Sequence, residues 1–184
     1  MRRSRLAAFA LLALLSVLAL SVSGVLAHER DHGTGRSQPP PAGTFVVTGN
    51  VQQKLRLSVA DLAAMPNQHN VDVTYRAGGG TEHHVFTGPL LLDVLARAVP
   101  QFDAAIKNDK LRHYVSVTAS DGYQALVAYG EIDPIFEGKQ VLLATTQDGV
   151  SLADQGPRLV VPGDIAGGRY ATGVVKVRID KPRR

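Results

Sequence analysis

The chain of 184 residues has no cysteine and few aromatic residues, with five tyrosines, five phenylalanines and no tryptophan. Lack of cysteine excludes disulfides, thiolate metal sites and a cysteine nucleophile together. The fold must therefore hold by packing alone, without covalent cross-links. No basic face interleaved with aromatic residues is present, so nucleic acid is not an expected partner. Neither a Gly-x-Ser-x-Gly elbow nor a phosphate-loop Lys-Ser/Thr signature occurs, and Gly78-Gly79-Gly80 lacks the lysine of a nucleotide cradle.

What is present begins with an export signal. Arg2, Arg3 and Arg5 precede an apolar run from Leu6 to Leu20, and small residues lead to Val25-Leu26-Ala27 before the polar His28-Glu29-Arg30-Asp31. This order predicts a leader at residues 1–27 cleaved before His28, and a periplasmic or secreted protein with no stable membrane insertion after cleavage. The rival reading is an uncleaved anchor, since the apolar stretch approaches spanning length. The full chain carries 20 Lys+Arg against 16 Asp+Glu. Three of those arginines sit in the leader, so the exported chain is close to neutral, and the remaining basic excess gathers in the tail from Lys176 to Arg184.

Residues 28–43 hold glycines and the run Pro39-Pro40-Pro41, with almost nothing to bury, and read as a disordered linker. One domain is expected over 44–184. Its length suits a single core. Thr44 to Val51 and Lys54 to Leu57 are β-prone. Ser58 and Asp61 have the spacing of a capping box at the start of a short helix that Pro66 stops. Val71 to Tyr75 alternates as a strand. Pro89 to Val99 carries a helical stripe of Leu91, Leu92, Val94, Leu95 and Ala98. Ser120-Asp121-Gly122 between Tyr114–Ala119 and Tyr123–Tyr129 signals a hairpin. Further strands are expected at Val141–Thr145, Arg158–Val161 and Val174–Ile179. The fold class is α+β, mostly β with mixed sheets and short inserted helices.

The order of these segments resembles the oxidoreductase molybdopterin-binding domain of the sulfite oxidase-type fold. The likeness is carried by Leu57-Ser58-Val59-Ala60-Asp61-Leu62, Phe86-Thr87-Gly88-Pro89-Leu90, Ala119-Ser120-Asp121-Gly122-Tyr123, Arg158-Leu159-Val160-Val161-Pro162-Gly163-Asp164 and Gly168-Arg169-Tyr170. The resemblance implies a molybdenum held by a pterin dithiolene and one cysteine thiolate, in a Cys-Ala-Gly context after the strand at 71–75. This chain reads Tyr75-Arg76-Ala77-Gly78 there, and a guanidinium cannot take the place of a thiolate. Thr172 stands where the family's pterin-contacting lysine is expected.

The expectation is thus an exported domain that binds a small anionic ligand or a protein partner, without catalytic residues and without a required cofactor. The alternative is an active molybdopterin-dependent oxidoreductase with a non-cysteine ligand set. The candidate ligand-binding residues are Arg76, Asp121, Tyr123, Arg169 and Tyr170, with the two arginines facing an anion. A plain hairpin turn is the competing account of Asp121 and Tyr123. His83 and His84 are adjacent, so an extended backbone sends them to opposite faces and no metal site is expected. His28 with the new amino terminus could take a metal only adventitiously. Glu131, Asp133 and Glu137 read as a solvated loop.

Overall fold

The computed structural model describes residues 43–182. The leader and nearly all of the linker fall outside them. Among the described residues no helix is long and apolar enough to cross a membrane.

Alternation sets the central sheet. In β1 (Thr44–Gly49) Phe45 and Val47 are fully buried, and their neighbours face outward. The same period of two runs through β5 (Tyr114–Ala119) and β6 (Gln124–Ala128), as expected of strands with one covered face. β2 (Leu55–Ser58), β1, β11 (Val174–Asp180), β5 and β6 form a five-stranded sheet in that order. β1 and β11 pair in parallel, and the other pairs are antiparallel.

Helix α1 (Val59–Ala63) starts at the expected capping box. The Asp61 amide donates to Ser58 Oγ at 3.1 Å, and the Ser58 amide donates to Asp61 Oδ2 at 2.7 Å. The Ser58 hydroxyl, which donates to Asp61 Oδ2 at 2.6 Å, and then the Ser58 amide hold the Asp61 carboxyl below its usual range. Helix α2 (Leu91–Arg97) buries Leu91, Val94 and Leu95 at helical spacing. Leu62 of α1 and this stripe join Phe45 and Val47 in one core. Burying each such side chain contributes about 1.5–3 kcal/mol.

A second sheet holds β3 (His69–Ala77), β4 (Gly80–Gly88), β8 (Thr146–Gln147) and β9 (Val150–Ser151) in that order. The third is a ribbon of β7 (Leu142–Ala144) and β10 (Arg158–Val160). Leu143 and Leu159 of the ribbon belong to the first core. Leu142, Ala144 and Val160 belong to a second, with Val73, Tyr75, Phe86 and Tyr170. The ribbon is therefore the layer between two cores, which explains why its residues other than Arg158 are apolar. Gly88 lets β4 cross close to it: a Cβ there would stand 2.4 Å from the Leu143 carbonyl oxygen.

Several expectations need correction. The strand expected at 71–75 runs to Ala77, so Arg76 lies in a strand and not in a loop. Gly78 and Gly79 form a turn, as a glycine run suits, but Gly80 already opens a nine-residue strand, β4, that closes a long hairpin with β3. Glu131 lies in helix α3 (Tyr129–Ile132), and Asp133, which follows it, is buried. Asp133 is paired with Lys110 at 2.5 Å. A solvated loop does not describe these two carboxylates.

Candidate functional site

Two cavities flank the end of β3. One, of about 440 Å³, is lined by Tyr75, Arg76, Gly78, Glu82 and Arg158, with Ala166, Gly167 and Gly168 opposite. The other, of about 290 Å³, lies among Thr74, Arg76, Thr81, Asp164 and Ile165. The loop 163–168 walls both. It is pinned to β3 where the Arg76 amide donates to the Ile165 carbonyl at 2.9 Å and Arg76 pairs in parallel with Ala166. Gly167 sits flat on the Tyr75 ring, where a Cβ would come within 2.9 Å. A larger groove, of about 530 Å³, runs between α1 and α2, lined by Asp61, Met65, Asp93 and Arg97. Its Asp61 is already committed to the helix cap.

Arg158 leads β10 into the larger of the two cavities beside β3. Its Nη1 donates to Gln147 Oε1 at 2.8 Å and its Nη2 to the Tyr75 hydroxyl at 3.3 Å. Its guanidinium lies over the Phe86 ring, 5.4 Å from the centroid. Its buried Nε has no hydrogen-bond partner. No carboxylate pairs with it among the described residues. Burial raises the Tyr75 hydroxyl pKa, an effect the neighbouring Arg158 charge opposes. Arg76 is exposed, and its guanidinium has no hydrogen bond or ion pair among the described residues. The two cationic groups lining the cavity are thus uncompensated by direct ion pairs, while Glu82 contributes a carboxylate to its rim.

The other candidates divide differently. The sequence sets Arg169 beside Arg76 as an anion-facing group. The structure closes its guanidinium against two carboxylates: Nε and Nη2 donate to Asp164 at 2.8 and 2.6 Å, and Nη1 donates to both Glu131 oxygens at 3.0 and 3.2 Å. These bonds raise the Arg169 pKa further. Burial would raise Glu131, but the Ala128 amide and Arg169 outweigh it and hold its carboxyl below the usual range. Lys139 lies 3.5 Å away on the same carboxylate.

Tyr170 lies in the second core, stacked on Tyr75 with centroids 4.2 Å apart, and its hydroxyl donates to the Val161 carbonyl at 3.0 Å. Burial, with the Asp164 charge, pushes it up to about 12. Asp121 accepts the Tyr123 amide in a turn at 2.9 Å. The Tyr123 hydroxyl donates to the Gly168 carbonyl, tying the hairpin to the loop. Neither residue lines the two cavities.

Glu82, His84 and Arg158 belong to this neighbourhood and were not legible as site residues. The one sequence signal was a charge opening the otherwise apolar Arg158-Leu159-Val160 strand. His84 Nδ1 lies 2.7 Å from Asp148 Oδ2, and His83 Nε2 lies 2.7 Å from Asp72 Oδ1. Those separate partners match the opposite faces expected. No group of three or more His, Asp or Glu is placed to hold a metal among the described residues.

The chain shares its architecture with the sulfane dehydrogenase SoxCD of Paracoccus pantotrophus, with a TM-score of 0.58 at 18% identity. The match covers 74% of this chain and 37% of that one, so this chain spans well under half of that protein. A search of curated proteins finds no match. The family model of the oxidoreductase molybdopterin binding domain matches residues 37–181. The extent of that match, on a fold of the same kind, makes the chain a member of the oxidoreductase molybdopterin-binding domain family.

Proposed function

We propose that this protein is an exported, non-catalytic member of its family that binds a small anion in the cavity between β3 and the loop 163–168. The observation that carries the reading is Arg158. It is a part-buried guanidinium on a cavity wall, held by two neutral groups, with one N–H left unpartnered. A buried donor without an acceptor costs about 1–3 kcal/mol, more for a charged group, and the guanidinium charge on the cavity wall would attract an anion. Arg76 on the same cavity adds a second charge.

The family's metal does not fit these residues. A thiolate bond to molybdenum needs a cysteine, and the chain has none. At the expected ligand position the Arg76 backbone is bonded to Ile165 and its side chain is a permanent cation. No oxo-transfer step follows from such a set. Export is supported by the charged start, the apolar run and the small residues before His28.

Thermal shift with inorganic phosphate and sulfate tests the anion site. Stabilisation should be lost in Arg158→Ala and reduced in Arg76→Ala. Equal stabilisation of all three proteins would refute it. Elemental analysis of protein made in a cofactor-producing host tests the rest. About one molybdenum per chain would replace this reading with that of an active oxidoreductase.

A further inference from the structure

We infer that the outer edge of β3 is a docking strand for the extended carboxyl-terminal segment of a partner protein, with Arg76 receiving the terminal carboxylate. β3 is nine residues long and stands at the edge of its sheet. The Arg76 amide points away from β4, because it donates to Ile165. Strand geometry gives Thr74, Asp72 and Asn70 the same outward parity. All three are exposed, and their main-chain groups on that side have no partner among the described residues. Such a row is a template for an added strand.

The edge is open only as far as Thr74. Beyond it, the segment Ile165–Ala166 already occupies the place of a neighbour, running parallel to β3. An added strand must therefore end there. At that end lies the cavity of about 290 Å³, lined by Thr74, Thr81 and Arg76. Asp164 also lines it, but Arg169 neutralises that carboxylate.

Charge then fixes the polarity of the guest. A strand antiparallel to β3 would bring an amino terminus to the Arg76 guanidinium, two like charges. A strand parallel to β3 brings a carboxyl terminus, which the forked donors of arginine suit. Ile165, 73% exposed at the same rim, offers apolar contact to the last side chain. A second copy of this chain fits poorly. Two-fold antiparallel pairing through Asn70, Asp72 and Thr74 centres on Asp72 and sets two carboxylates opposite each other, which is destabilising.

The inference rests on the reading above only in taking Arg76 as an available cation. Its test uses the purified chain and random heptapeptides displayed with free carboxyl termini. The enriched peptide is then synthesised as free acid, as carboxyl-terminal amide and with alternate backbone amides methylated. Binding is read by fluorescence polarisation. The free acid should bind at least about tenfold more tightly than either altered form, and Arg76→Ala should erase the difference between acid and amide. Thr74→Pro removes an outward N–H, a change that edge strands tolerate. It should block the peptide while leaving the melting temperature and the response to phosphate intact. Equal binding of acid and amide, indifference to methylation, or no enriched peptide overturns the inference. Phosphate stabilisation without peptide binding removes the docking strand and leaves the anion site. Arg76-dependent peptide binding without any phosphate effect removes the anion site and leaves the docking strand.

Discussion

Replacing Arg169 by alanine should destabilise the domain. The side chain makes four hydrogen bonds to Asp164 and Glu131, and the three side chains are 29%, 18% and 22% exposed. Breaking a fully buried pair costs about 3–5 kcal/mol, and an exposed pair is worth about 0.2–1 kcal/mol. Partial burial places this cluster between the two, at about 2–3 kcal/mol. Each kcal/mol moves the melting temperature of a domain of this size by about 3–5 °C, so a loss of about 6–15 °C is expected.

The pH dependence has a definite sign. Glu131 is depressed in the folded state, so its share of stability is present above the ordinary glutamate range and is lost as pH falls through the folded value. The gap between wild type and Arg169→Ala should therefore narrow below about pH 4.5. The double variant Arg169→Ala, Asp164→Asn should recover part of the loss, because it removes a carboxylate left without its partner. Differential scanning calorimetry across pH measures all of this. A variant that melts within about a degree of wild type at pH 7, or a gap that widens in acid, would refute the reasoning.

Three further outcomes are expected. Gly88→Ala should cost several kcal/mol or prevent folding, since its Cβ would stand 2.4 Å from a backbone oxygen and 2.7 Å from the Ala144 Cα; circular dichroism melts read it, and a fully stable variant would refute the close approach. Alkaline spectrophotometric titration should find Tyr129 and Tyr170 ionising only near 12, because burial opposes their phenolates. Their raised values make stability complete below about pH 10 and steadily lost above it, and melting temperatures flat from pH 9 to 12 would contradict this. Intact-mass measurement of the exported protein should show a chain beginning at His28, and a retained leader would favour the anchored form.

Local chemistry was readable where the chain solves its own problems within a few residues. The Ser58–Asp61 cap, the Asp121 turn and the alternation of β5 and β6 are of this kind. The hairpin of β3 and β4 was not. Arg76-Ala77-Gly78 reads as the approach to a turn, and Gly80-Thr81-Glu82-His83-His84 has weak strand propensity. These residues are extended because each strand supplies the other's partners, and Ile165 supplies one more from far along the chain. The misreading of Glu131 and Asp133 has the same origin. Their cations include Arg169 and Lys110, 38 and 23 positions away. Arg158 enters the site because β10 pairs with β7 and brings its guanidinium to the Tyr75 hydroxyl, a juxtaposition no local pattern encodes.

The parallel pairing of β1 with β11 sets the order in which this protein can mature. β11 sits between β1 and β5 in the central sheet, yet it is the last strand in chain order among the described residues. Until residues 174–180 leave the ribosome, β1 with β2 and β5 with β6 are two separate hairpins, each too small to be stable alone. Closing a loop of more than a hundred residues is then the event that creates the sheet, which makes folding slow and late. Without residues 174–180, the pair of β1 with β2 and the pair of β5 with β6 have no strand to join them.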